Sequence, residues 1–217
     1  MSKIGEMSTA VFLLLSLAAC GQLEGNTPAD KMGKAVRNDS VSAVKELLAD
    51  AVPVDVRNKA GWTPLMLAAS RDNTDIIKVL LENKAEINLR ENKKQTALHV
   101  AARWSRLETV KYLLVNGANP DPRDYLSWTP MMWSALQGKT EITRALIESG
   151  ASVNISDADG NTPLILAAWR GKSDDADLLL AHGADLSHAN KSGLDAAAVA
   201  EKNGYPELAA KLRGEKP

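Results

Sequence analysis

Apolar residues in this 217-residue chain occur in short runs that repeat every 33 residues. One run reads TPLMLAA at residues 63–69, and it returns as TALHVAA at 96–102, TPMMWSA at 129–135 and TPLILAA at 162–168. A second motif recurs at the same 33-residue spacing. It reads AEIN at 85–88, ANPD at 118–121, ASVN at 151–154 and ADLS at 184–187. Four in-phase copies without an insertion indicate a solenoid built from one repeated unit.

The pattern inside each copy predicts two helices. Thr63 can cap a helix through its hydroxyl, and Pro64 suits the first helical position, where no N–H is needed. The Ala68–Ala69 pair allows two helices to approach closely. A second apolar run, IIKVLL at 76–81, predicts the second helix. In three of the copies a glycine follows that helix, as Gly150 does, which suits a left-handed helix end.

These residues resemble the ankyrin repeat, in which a turn or hairpin leads into two antiparallel helices. The resemblance implies an all-α solenoid over residues 28–213, with six units at about 28–57, 58–90, 91–123, 124–156, 157–189 and 190–213. The first unit places Asp30, and the last Asp195, where the capping threonine would be, and polar end units close off a solenoid core. Lys94 and Ser127 replace the turn glycine, so we expect their hairpins to be strained or differently shaped.

The first 19 residues have the form of a secretory signal, with the apolar centre AVFLLLSLAA at 10–19. The end of this run together with the next residue, Leu17-Ala18-Ala19-Cys20, resembles the lipobox of bacterial lipoproteins. That resemblance implies removal of residues 1–19, a lipid on Cys20, a flexible tether over 20–29 and, since Gly21 is not Asp, an outer-membrane anchor facing the periplasm. An ordinary signal cleavage nearby, which would leave a free thiol, is the alternative. Residues 214–217 form a short tail.

No catalytic, metal or cofactor site is evident from the sequence. His99, His182 and His188 lack metal-ligand spacing, and no nucleophile motif or phosphate-binding loop occurs. The resemblance implies that His99 ties its turn together by hydrogen bonds. The acidic group at 174–177 is interpreted as stabilising the start of a helix rather than as a cation site. We therefore expect a protein that is not an enzyme and takes no cofactor.

Ankyrin proteins generally bind partners through a concave side, at six positions per unit. Counted from the capping threonine, these binding positions lie six, four, three and one residues before it and seven and eight after it. They hold ten basic residues and one acidic residue, whereas the rest of the chain beyond residue 19 holds 15 basic and 25 acidic residues. Only Trp133, of the five tryptophans, falls on the predicted buried side. The nearly neutral total, 26 basic against 27 acidic, therefore conceals a basic, tryptophan-rich groove.

Trp, Tyr and Arg are frequent in binding hot spots, and a cationic cleft attracts acidic partners. The predicted partner-binding residues are Trp62, Arg71, Arg90, Arg103, Trp104, Arg123, Tyr125, Trp128, Trp169 and Arg170. The alternative for each tryptophan is that it packs against the neighbouring hairpin.

The expected function is a monomeric, membrane-anchored module that binds an acidic, partly apolar protein surface. It could inhibit an envelope enzyme or toxin, as an immunity protein does, or hold such an enzyme in place. A second hypothesis is a non-protein polyanion, such as an anionic lipid headgroup or a glycan; nucleic acid is not expected because of the export signal. An unrecognised enzyme is the remote alternative.

Overall fold

The computed structural model describes Gly25 and residues 27–215. The signal segment 1–19, the lipobox with Cys20, most of the tether and the end of the tail lie outside these residues. The described part contains twelve helices and no strand, which confirms the all-α prediction. In chain order they are α1 (Pro28–Arg37), α2 (Val41–Ala49), α3 (Pro64–Arg71), α4 (Thr74–Glu82), α5 (Ala97–Arg103), α6 (Leu107–Val115), α7 (Pro130–Gln137), α8 (Thr140–Glu148), α9 (Pro163–Trp169), α10 (Ser173–Ala181), α11 (Ala196–Lys202) and α12 (Pro206–Leu212).

The helices form six pairs that stack as two layers. The first helix of each pair packs against the first helix of the next unit, and the second helices form a parallel layer of contacts behind them. Side chains such as Ile76, Leu98, Leu113 and Leu146 are fully buried or nearly so within one continuous core. Among the described residues, no helix is both long and apolar enough to cross a membrane.

Most first helices begin as the sequence predicts. Thr63, Thr96, Thr129 and Thr162 each accept a hydrogen bond from the amide three residues later, and Asp195 does so in the last unit. This bond satisfies one of the amides that a helix start leaves unpaired.

The first unit differs from its prediction. Thr27, not Asp30, caps α1, and Pro28 follows it, so this unit carries its own Thr-Pro pair three residues ahead of the 33-residue step. The Asp30 side chain instead accepts from Thr27, which completes a capping box. Placing Asp30 at the capping position was therefore wrong, because α1 begins about one turn earlier than the repeat predicts and Thr27 supplies the capping hydroxyl.

Two hairpins that lack glycine keep the backbone of those that have it. Lys94 and Ser127 have φ values of 59° and 62°, beside 80° at Gly61 and 81° at Gly160. The expectation of a different shape is thus wrong. The expectation of strain is supported, because a left-handed conformation costs a residue with a Cβ about 1–2 kcal/mol.

The turn after each second helix also needs a left-handed residue. Gly150 has a φ of 84°, and Lys84 occupies the equivalent place two repeats earlier with a φ of 68°. A Cβ added at Gly150 would meet no atom within 4 Å. Any penalty at this position therefore comes from the backbone conformation and not from a steric clash.

We expect Gly150→Val to lower the free energy of unfolding by about 1 kcal/mol or more, because valine resists positive φ. The matched change Lys84→Gly should raise it by about 0.5–1 kcal/mol, since it relieves the same strain at some entropic cost. Urea denaturation followed by circular dichroism measures both. Equal stability of both variants and the wild type would contradict this account of the helix end.

Candidate functional site

One side chain in each hairpin accepts hydrogen bonds from two amides of its own turn. The oxygen lies five residues before the capping residue and accepts from the amides two and four residues later, at 2.8–3.2 Å. We call these five residues the hairpin acceptors: Asn58, Glu91, Asp124, Asp157 and Asn190. Sequence reasoning missed them, although an Asn, Asp or Glu recurs there at the 33-residue step.

The second carboxylate oxygen of two hairpin acceptors receives an indole N–H. Asp157 accepts from Trp128 Nε1 at 3.0 Å, and Asp124 accepts from Trp133 Nε1 at 3.1 Å. Asp124 also accepts from the Gln95 amide at 3.3 Å. Trp128 therefore joins its own hairpin to the next one, so the alternative of packing against the neighbouring hairpin holds for this tryptophan.

A stack of aromatic and cationic groups lies beside these carboxylates. The Trp128 and Trp133 ring centroids are 4.6 Å apart and tilted by 57°, and the Arg103 guanidinium carbon lies 4.9 Å from the Trp133 centroid. Trp133 is only 3% exposed, which confirms its predicted place on the buried side. Burial lowers the pKa of Arg103, while Tyr125 and Asp124 act in the opposite direction. The guanidinium is thus partly desolvated, which strengthens its contact with the ring.

Two of the predicted binding aromatics are open to solvent. Trp104, at the end of α5, is 38% exposed, and Tyr125, at the tip of the hairpin of the fourth unit, is 53% exposed. The Lys93 ammonium lies 6.0 Å from the Tyr125 ring centroid, and the Lys93 carbonyl accepts from the Tyr125 amide at 3.0 Å. Lys93 and Tyr125 therefore connect the hairpins of the third and fourth units.

A second apolar cluster lies under Trp169, separate from the main core. It consists of the buried residues Met132, Leu136 and Leu166, with Trp128, Ile155 and Trp169 packed against it. The Arg170 guanidinium carbon lies 6.0 Å from the Trp169 ring centroid. Leu136 lies seven residues after Thr129 and so occupies one of the six binding positions of its unit, but it is only 4% exposed because these rings cover it.

The remaining predicted residues have mixed surroundings. Arg71 donates from Nε and Nη2 to the two oxygens of Asp39, at 3.1 and 3.0 Å. These hydrogen bonds hold the pKa of Asp39 below its usual value. Trp62 is half-buried against the main core. Arg90 and Arg123 are exposed on successive hairpins. The structure connects Arg103 to Trp128 through the Trp133 ring and connects Trp128 to Trp169 through the cluster beneath them, and it pairs Arg71 with Asp39 of the first unit.

His99 has the structural role that the resemblance implied. Its Nδ1 accepts from the Thr96 amide at 3.2 Å, so the neutral ring carries its proton on Nε2 and donates to the Trp128 carbonyl at 3.0 Å. The ring is fully buried, and this burial lowers its pKa to about 4. A buried neutral histidine thus connects the third and fourth units.

The acidic group near the start of α10 also acts between units. Asp174 and Asp175 lie in the first helical turn, as expected for stabilisation by the helix dipole. Asp175 is fully buried and accepts from the hydroxyls of Thr140 and Thr143 at 2.7 and 2.6 Å. Over the part of the chain that the structure describes, no three His, Cys, Asp or Glu side chains form a group that could hold a metal ion.

The depressed pKa of His99 predicts a loss of stability in acid. Between pH 6.5 and about 4 the unfolded chain protonates this histidine while the folded chain does not, so the free energy of unfolding falls as pH falls through that window. The contribution is up to about 3 kcal/mol. His99→Gln removes the titration, so its stability deficit relative to the wild type should shrink between pH 7 and pH 4.5 in urea unfolding. A deficit that stays constant with pH would contradict a neutral His99.

Comparison with known families matches most of the chain to one of them. The profile of the family described as "Ankyrin repeats (3 copies)" matches residues 32–124 and 116–190. Comparison with curated proteins finds no match.

Proposed function

This chain belongs to the ankyrin repeat family, whose repeats indicate a protein–protein interaction module, and we propose that it binds an acidic, partly apolar protein surface through its basic, tryptophan-rich groove. Ankyrin repeat proteins are generally non-catalytic interaction modules. The binding we propose therefore rests on shape and charge complementarity and needs no covalent chemistry. The observations that carry it are the exposed Tyr125 beside Lys93, the exposed Trp104 at the end of α5, and Arg103 stacked on Trp133.

The surroundings of this surface favour binding because they hold it in place before a partner arrives. Hairpin hydrogen bonds anchor the Tyr125 backbone, and Trp128 and Trp133 are tied to carboxylates. Ordering side chains on association costs about 0.5–1.5 kcal/mol for each rotamer-rich group. A surface already ordered by its own contacts avoids part of that cost.

The predicted residues take different parts in the proposed site. Trp104 and Tyr125 are the aromatic residues that contact the partner, and Arg90 and Arg123 supply positive charge around them. Arg103 supplies positive charge from its place over the Trp133 ring. Trp169 and Arg170 extend the contact surface into the fifth unit. Trp128 shapes the site through its bond to Asp157, and Trp62 and Arg71 lie at its edge.

Charge separation supports an acidic partner. The binding positions are strongly basic, while the rest of the chain is acidic. Such a cleft accelerates the capture of an oppositely charged partner, and this advantage weakens as salt screens the charges over about 8–10 Å. We therefore propose a protein partner whose contact surface combines carboxylates with apolar groups.

The proposal is tested by affinity capture from envelope extract with protein that begins at Cys20. We expect wild type to retain a specific protein, and Trp104→Ala with Tyr125→Ala to weaken its binding at least tenfold, since hot-spot aromatics each contribute more than 1 kcal/mol. Both residues are exposed, whereas a change at Trp128 would also break the bond to Asp157.

Tyr205→Ala is the matched control, because Tyr205 is also 38% exposed but lies outside the predicted binding positions. Rising salt should weaken retention by wild type. Unchanged retention by the double variant would refute the groove as the binding surface. Release of the retained material by anionic vesicles or a sulfated glycan, with no protein recovered, would favour the polyanion hypothesis instead.

We also propose that the protein is a lipoprotein anchored through Cys20 in the outer membrane and facing the periplasm. The support is the lipobox-like Leu17-Ala18-Ala19-Cys20 that directly follows the apolar signal. In that setting the module could act as an inhibitor or immunity protein, or as a scaffold for an envelope enzyme. Assaying the captured protein with and without the module distinguishes the two roles, because only an inhibitor lowers its activity.

Replacing Cys20 with Ser should release the chain from the membrane fraction and abolish labelling by a radioactive fatty acid. Gly21→Asp is the control, because it keeps the cysteine and should move the labelled protein to the inner membrane. Fractionation on a sucrose gradient measures both outcomes. A Cys20→Ser protein that remains membrane-bound and labelled would rule out this anchor.

A further inference from the structure

The two halves of the groove differ in chemistry. We call the binding positions of the second and third units the cationic half, and those of the fourth and fifth units the aromatic half. The cationic half holds two tryptophans, Trp62 and Trp104, and six basic residues with no acidic residue: Arg57, Lys59, Arg71, Arg90, Lys93 and Arg103. The aromatic half holds Tyr125, Trp128, Leu136 and Trp169, with Arg123, Arg170 and the acidic Asp159 as its charges.

Acidic groups close to the cationic half have partners within the protein. Glu91 is 6% exposed and accepts from the amides of Lys93 and Gln95. Asp39 is paired with Arg71. The exposed ends of Lys59, Arg90 and Lys93 thus define the electrostatic character of this half.

The aromatic half has an apolar floor. Trp128 and Trp169 pack against Met132, Leu136 and Leu166, all of which are buried. The indole N–H of Trp128 donates to Asp157, so its ring presents apolar surface and not a donor to a ligand. Asp159 is exposed on the hairpin of the fifth unit and adds a negative charge at the end of the aromatic half that is farther from the cationic half.

The boundary between the halves is continuous. Tyr125 of the fourth unit lies next to Lys93 of the third, and a backbone hydrogen bond of 3.0 Å joins the two hairpins there. A single extended segment can therefore cross from one half to the other without a gap.

We propose that the groove binds one protein segment in a fixed orientation, with an acidic block over the cationic half and an apolar block over the aromatic half. This inference rests on the proposed function and specifies its partner. A uniform polyanion fits only one half, because it would place charge over the apolar floor and next to Asp159. Desolvating charge against an apolar surface without a partner is unfavourable.

The proposal predicts that each half binds its own probe. The probes are a hexaglutamate peptide and an uncharged Leu-Phe-Leu peptide with blocked ends, titrated to millimolar concentration into 15N-labelled protein beginning at Cys20. Hexaglutamate should shift the amide signals of Lys59, Arg90 and Lys93, and these shifts should largely vanish in 0.5 M salt. Leu-Phe-Leu should shift the indole signals of Trp128 and Trp169 and should be insensitive to salt.

A matched pair of charge reversals separates a local effect from a change of net charge. Lys59→Glu with Arg90→Glu should weaken hexaglutamate binding at least tenfold and leave Leu-Phe-Leu binding unchanged, because neither side chain contacts the aromatic half. Lys45→Glu with Lys78→Glu makes the same change in charge on the second helices α2 and α4 and should affect neither probe beyond twofold. Covalently joining the two probes through a short Gly-Ser spacer should give tighter binding than either alone, since the second contact becomes intramolecular.

Overlapping shifts for the two probes, hexaglutamate shifts centred on the fourth and fifth units, or no shift by either probe would overturn the two-part groove. None of these results bears on capture of a protein from envelope extract, which Trp104→Ala with Tyr125→Ala tests separately. If no specific protein is captured from the extract but each probe still binds its own half, the proposed function is refuted, while the division into a cationic and an aromatic half stands.

Discussion

The hydrogen bonds accepted by one side chain in each hairpin hold the groove in shape. Each hairpin acceptor takes two amides of its own turn, which would otherwise lack a partner in so tight a bend. In Asp124 and Asp157 the second carboxylate oxygen then receives an indole N–H. The Trp128–Asp157 bond joins two successive hairpins, whereas the Trp133–Asp124 bond ties one hairpin to the helix that follows it in the same unit.

Rigidity and exposure are divided among the aromatic residues. Trp133 is buried and Trp128 half-buried, and both are tied to carboxylates, whereas Tyr125 and Trp104 are presented to solvent above them. The buried His99 ring holds the backbone of the same region by donating a hydrogen bond to the Trp128 carbonyl. Exposed aromatics on a supported backbone suit a surface that binds without rearranging.

The charge of the groove also depends on carboxylates that do not stand at its binding positions. Asp124 and Glu91 lie near Arg103 and oppose the effect of burial on its pKa. Both carboxylates are buried and accept hydrogen bonds from amides or indoles. They therefore offset part of the positive charge of the cationic half without exposing negative charge to solvent. The exposed positions of the cationic half therefore remain basic, as at Lys59, Arg90 and Lys93.

The sequence by itself determined the repeat length, the order of first and second helices, most of the caps of the first helices and the burial of Trp133. These features depend on contacts between residues a few positions apart, or on an apolar pattern repeated in every unit. Only the tertiary structure decided that Arg71 pairs with Asp39, that Trp128 binds Asp157 and that Leu136 is covered. The two hydrogen-bonded pairs are separated by 32 and 29 residues, so each joins different units. A side chain at a nominal binding position can thus face a partner or the next hairpin, and the packing between neighbouring units determines which.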